Sequence, residues 1–129
     1  MKKKLGLRDF RVGNIVLIYG EKGEVKATSN SCVVIQANET TYYMNTTNRE
    51  SVKDIVITNS VLDNNFTRII DSANTGIPVW ELDKHRDIST FKENEFFLQA
   101  NDDEPVKMES IRELQNHLWM LGLDDSIII

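Results

Sequence analysis

The chain has 129 residues, 40% of them hydrophobic and 27% charged, with a formal net charge of −5. That length suits one domain, 1–129, and the proportions are those of an ordinary globular fold, which argues against global disorder. No stretch approaches the ~20 apolar residues of a membrane span, and a single cysteine excludes an internal disulfide framework.

The opening MKKKLGLRDF is charged but has no apolar run, because Arg8 and Asp9 follow Leu5-Gly6-Leu7 at once. No secretory signal is expected, and a reducing, cytoplasmic setting is. Lys2-Lys3-Lys4 reads as a solvated tail. FRVGNIVLIYG then carries apolar residues in both alternating registers: Val12, Val16 and Ile18 in one, Ile15, Leu17 and Tyr19 in the other. Such a strand is buried on both faces or curled into a small barrel. Gly20-Glu21-Lys22-Gly23 reads as a turn, GEVKAT as a second strand, Ser29-Asn30-Ser31 as a turn, and CVVIQA as a third strand that buries Cys32. Asn38-Glu39 turns into TTYYMN, a fourth strand. Four short strands with tight turns over residues 10–46 predict a meander or a small SH3-like barrel.

TTNRESVKD is polar and reads as a connector. Residues 55–129 read as an α+β part. Thr58 is placed to cap a short helix that carries Val61 and Leu62 inward, with Phe66 closing it. Strands are expected at FTRIID, Pro78 to Leu82, Ile88 to Phe91, Glu95 to Gln99 and Val106 to Met108, separated by DSANTG, LDKHRD, KENE and NDDEP. The last element is a helix closing this second small sheet. Ser110 and Glu113 form an S-x-x-E capping signal, Ile111, Leu114, Leu118 and Leu121 share a stripe, and Gly122 suits the position after the end. Gln115 lies within that apolar stripe. Its amide has a role there: to bond strand backbone that would otherwise be unsatisfied. Gln115 and Asn116 therefore read as a structural latch. The ending DDSIII is acidic and then strongly apolar, so Ile127, Ile128 and Ile129 are candidates for packing as a strand or for a protein interface.

The chemistry available is limited. Two histidines and one cysteine lack zinc-ligand spacing, and the carboxylates of Asp102-Asp103-Glu104 and Asp124-Asp125 lack the glycine-bearing calcium-loop pattern, so no metal or other cofactor is predicted. There is no phosphate-binding glycine loop. Asp83-Lys84-His85-Arg86-Asp87 is the densest ionisable run, yet between strands it reads as an exposed turn, and His117 reads as structural. No catalytic residue is assigned. The charge is asymmetric: seven Lys and Arg against three acidic residues in 1–26 give +4, which leaves −9 for the rest. That polarity argues against wrapping nucleic acid over the whole surface but permits a local contact with phosphate or an acidic partner. Arg8, Arg11, Lys22, Lys26 and Tyr19 are the candidates for it, since basic residues beside aromatics on a small barrel can hold single strands.

Three segments resemble, in order, a family of small uncharacterised proteins from Bacteroidota, their phages and their integrated mobile elements. Phe10-Arg11-Val12-Gly13-Asn14-Ile15-Val16 is similar to the family's opening LRIGN-L/V strand. Val56-Ile57-Thr58 through Leu62 to Phe66 is similar to its central I-x-L-T-x-x-x-L-x-x-x-G-F segment, with Asn65 in the place of the glycine. Ile111 to Leu121 is similar to its closing V-H-x-LQN-L-Y-F-A-L-T-G helix: Leu114-Gln115-Asn116 matches outright, while Arg112 replaces the histidine and His117 a leucine. The resemblance implies genomic context and carries over no catalytic residue. The combined expectation is a non-enzymatic phage or mobile-element accessory protein acting as a protein-interaction module. It would bind a host factor or serve in a virion or its assembly, and it could self-associate. A nucleic-acid-binding module using the basic first hairpin is the alternative.

Overall fold

Alternating burial builds two small antiparallel sheets, and with two α-helices they make the chain α+β in the computed structural model, which describes residues 6–69, 78–83, 86–92, 95–100 and 104–129. The chain divides into two compact units, one of Met1–Ile55 with Ser110–Ile127, the other of Val56–Glu109 with Ile128–Ile129.

In the first unit β1 (Ile15–Ile18), β2 (Glu21–Thr28), β3 (Val33–Ala37) and β4 (Thr40–Met44) form a meander. A short β5 (Val52–Lys53) returns beside β1, giving the order β4-β3-β2-β1-β5. With a 3-10 turn at Arg49–Ser51 just before β5, this is the connectivity of an SH3-like small barrel. One register of each strand faces inward, so Val16, Ile18, Val25, Val33, Ile35 and Met44 form a buried cluster with Phe10 and Val52, and the sheet curls around it as a half-barrel. A register shift between Val25 and Ala27 bends β2, as an extra residue in one strand does.

Several local expectations are corrected. The first strand is shorter than its apolar run: it starts at Ile15, and Val12 sits in the preceding loop. The hairpin turns on Tyr19-Gly20, both with positive φ (49° and 80°), a two-residue turn whose twist suits the flanking strands. Gly23 belongs to β2 opposite Val16, where a Cβ would lie 2.7 Å from Ile35 Cγ2, so close packing rather than turning requires glycine there. Cys32 is half-buried just ahead of β3, and its carbonyl accepts from the Ser29 amide and hydroxyl. TTNRESVKD is more than a connector, since it supplies the 3-10 turn and β5.

The second unit holds α1 (Asn59–Asn65) and a plain meander of β6 (Thr67–Ile69), β7 (Val79–Asp83), β8 (Arg86–Lys92), β9 (Glu95–Ala100) and β10 (Val106–Met108). The Thr58 hydroxyl accepts from the Val61 amide at 3.3 Å and starts α1, which buries Val61 and Leu62. Trp80, Ile88 and Leu98 are cross-strand partners on one buried face of the sheet. DSANTG, Lys84-His85, Glu93-Asn94 and residues 101–103 lie outside the described residues, while Leu82 and Asp83 end β7 and Arg86 and Asp87 open β8, so the run expected as an exposed turn is mostly strand. Among the described residues no helix is long and apolar enough to cross a membrane.

Candidate functional site

α2 (Ile111–Met120), expected to close the second sheet, belongs instead to the first unit, where it packs on β1, and it is fixed at both ends. At its start Ser110 Oγ accepts from the Glu113 amide (3.1 Å) and donates to the Glu113 carboxylate (3.2 Å). At its end the Gly122 amide donates to Trp119 O and the Leu123 amide to Leu118 O, the paired closure that a positive-φ glycine permits. Ile111, Leu114 and Leu118 are buried, as their shared stripe requires, and Gln115 is buried with them at 1% exposure.

Gln115 does what a strand would do. Its Oε1 accepts from the Ile15 amide (2.8 Å), and its Nε2 donates to Gly13 O (2.9 Å) and Asp125 O (3.1 Å). Accepting from one residue and donating to the carbonyl two positions earlier is how a parallel strand bonds its neighbour. β5 reaches only Leu17 and Ile18 of β1, so the carboxamide continues the ladder where β5 stops. Next to it, Asn14 is buried. Its Oδ1 accepts from the Arg11 amide (2.8 Å) and its Nδ2 donates to Asn116 Oδ1 (2.9 Å). Gly13, with φ of +95°, lets the loop close this tightly. Arg112 completes the contact: it pairs with both oxygens of Asp54 (2.9 and 3.2 Å) and donates to Asp9 O (3.0 Å). No buried side-chain nitrogen or oxygen lacks a partner among the described residues.

What the latch places at the surface is different. The Arg11 guanidinium lies over the Trp119 ring, 3.0 Å from its centroid. Trp119 is nevertheless 54% exposed, and its chain neighbour Met120 and Arg11's neighbour Val12 are 71% and 60% exposed. The sequence marks Arg11 as a contact for nucleic acid or an acidic partner and Trp119 only as a residue flanking the apolar stripe. The available signal was a tryptophan at the margin of an apolar stripe, next to a methionine facing away from it.

No family model, curated protein or solved structure matches this chain.

The five basic and aromatic candidates do not gather. Arg11 and Lys26 lie toward one end of β1, because the Val25 amide and carbonyl bond Asn14 and Gly13. Lys22 and Tyr19 lie at the other end, where Lys22 faces Leu17, and about 10 Å of strand intervenes at ~3.3 Å per residue. Lys26 is paired with Glu24, Tyr19 stacks at 5.4 Å on Tyr42, and Arg8 is exposed in the 3-10 turn Leu7–Asp9. The three isoleucines also separate. Ile127 is buried, while Ile128 and Ile129 are exposed and form no strand. The Asn65 carboxamide pins this tail in the second unit, donating to Ile128 O and accepting from the Ile128 amide, both at 2.7 Å.

His117 is half-buried on α2, and His85 lies outside the described residues. A shallow hollow of about 330 Å³ in the second unit is floored by Ile57, Phe96 and Met108, with Lys107 at its rim paired to Glu95 and Glu109. Neither His117 nor Cys32 lines it. Among the described residues no group of three or more His, Cys, Asp or Glu could hold a metal ion.

One electrostatic conflict stands out in the second sheet. Asp87 on β8 is directly opposite Glu81 on β7, and burial pushes its carboxyl above the ordinary Asp range. A raised carboxyl pKa penalises the folded state at neutral pH, and the penalty disappears once the pH falls below the ordinary Asp value. Asp87→Asn should therefore raise the melting temperature at pH 7. The gain should shrink to nothing near pH 3, which thermal melts across that range would measure.

Proposed function

We propose that this chain is a non-enzymatic accessory protein of a phage or mobile element that works by binding another protein through the Arg11–Trp119 surface of its SH3-like unit. The observation that carries the reading is the exposed Trp119 stacked by Arg11, with their chain neighbours Met120 and Val12 exposed as well. Trp and Arg are the residues in which interface energy concentrates, and clustered exposed apolar groups mark interaction sites. Here Trp119 and Met120 sit on a helix fixed at both ends, and Arg11 on a loop hydrogen-bonded to that helix, so little ordering is left to oppose association. The cellular setting, a Bacteroidota host with the protein recruiting a host factor or serving in virion assembly, rests on the resemblance of the three motifs. The separation of Lys22 from Arg11, and the pairing of Lys26 with Glu24, favour this reading over a continuous nucleic-acid track.

The test is affinity capture of the tagged full chain from host cells, with three proteins compared: wild type, Trp119→Ala, and Lys22→Glu with Lys26→Glu. A partner retained by the wild type and the lysine variant but lost by Trp119→Ala, with unchanged circular dichroism, is the expected result. Capture that survives Trp119→Ala, or that depends on the two lysines, would overturn the reading.

A further inference from the structure

Arg11 differs from the other arginines whose side chains make contacts in this structure. Arg112 is engaged by Asp54, Arg68 by Asp63 and Arg86 by Asp83. Among the described residues the Arg11 guanidinium has no hydrogen-bond or ion-pair partner, and its contact is the Trp119 ring. Stacking on an aromatic face occupies one face of a guanidinium and leaves its in-plane N–H fork available, the geometry that takes a carboxylate through two parallel bonds. The stack also holds that fork in place, so less side-chain entropy is lost when a ligand arrives. Val12, next to Arg11 in the chain, and Met120, next to Trp119, are exposed as well.

A cation held against an exposed indole ring complements an anion that adjoins an apolar group. We infer that the Arg11–Trp119 surface recognises a peptide segment in which an Asp or Glu side chain adjoins a large apolar residue, the carboxylate seated on the Arg11 fork and the apolar group against Trp119 and Met120. This rests on the protein-binding reading above and names the chemistry of the partner. A phosphate would satisfy the fork equally well, but the basic residues of this sheet do not line up as a track for a polyanion, since Lys22 lies at the far end of β1 and Lys26 is paired with Glu24.

The experiment is selection of a random peptide library against the immobilised full chain, followed by affinity measurement of the enriched peptides. Enrichment of Asp or Glu next to Leu, Ile, Met or an aromatic residue is expected. Affinity should fall at least about tenfold in Arg11→Ala and in Trp119→Ala, as hot-spot truncations do. Arg11→Lys, which keeps the charge but not the fork, should lose part of it, and Lys22→Glu with Lys26→Glu should lose none. Library failure, enrichment without acidic residues, or affinity indifferent to Arg11→Ala would overturn the inference. So would oligothymidylate binding that depends on Arg11 and Trp119. Failure here alongside Trp119-dependent capture from cells would remove the acidic ligand and leave protein binding standing.

Discussion

Gln115→Met should destabilise the first unit by about 3–5 kcal/mol, even though the side-chain volume is nearly kept. The cost comes from what the amide leaves behind. The Ile15 amide and the carbonyls of Gly13 and Asp125 would each lose a partner at a site sheltered from water. An unsatisfied buried group costs about 1–3 kcal/mol, and the added apolar contact of Met offsets only part of the sum. Gln115→Glu should fare no better. It keeps an acceptor for Ile15 but sets a carboxylate against two carbonyl oxygens. Urea unfolding followed by circular dichroism would measure both. A loss below about 1 kcal/mol for the Met variant would mean that the backbone of the 13–15 segment finds other partners.

Trp80→Ala should have an effect of similar size in the second unit, about 3–5 kcal/mol, the range for deleting a fully buried aromatic. Trp80 is completely enclosed, its ring centroid lies 6.2 Å from that of Phe96, and its indole N–H donates to Asp63 Oδ1 at 2.9 Å. Trp80→Phe separates the two roles, keeping most of the volume and losing the donor. That bond, and after it the Arg68 guanidinium, hold the Asp63 carboxyl below its usual range. A depressed carboxyl pKa stabilises the fold above the ordinary Asp value, and the contribution is lost as pH falls through the folded value. Trp80→Phe should therefore melt closer to the wild type in strong acid than at pH 7. A constant difference across that range would show that the bond to Asp63 contributes nothing. Denaturation curves of both variants, with acid titrations of Trp80→Phe, supply the data.

The strands and helices were legible where a periodic pattern was long enough to be unambiguous. Val33–Ala37, Thr40–Met44, Val106–Met108 and the capped helix from Ile111 fall where alternation and capping place them. β5 was not legible, because two residues carry no period and their strand character comes from pairing with Leu17 and Ile18. The first hairpin was misplaced because two glycines suggested a turn, whereas Tyr19 accepts the left-handed conformation and Gly23 serves packing against Ile35. A glutamine on the apolar side of a capped helix pointed to main-chain bonding, and Gln115 makes three such bonds. Which backbone it bonds was beyond reach, since Gly13 and Ile15 lie about a hundred residues away in sequence. The same distance hid the site. Arg11 and Trp119 are unremarkable separately and become a surface only when the latch joins them. The segments at the two ends of the chain are hydrogen-bonded to each other through Gly13, Asn14, Ile15, Gln115 and Asn116.

The proposed binding surface depends on the Gln115 carboxamide holding α2 to the 9–15 loop, and the Ile15 amide reports that bond directly. In hydrogen exchange resolved residue by residue, the Ile15 amide should exchange only through global opening, as slowly as core amides of β2 and β3 such as those of Val25 and Ile35. An Ile15 amide exchanging as fast as a solvent-exposed edge amide would contradict the latch, and with it the fixed pairing of Arg11 and Trp119.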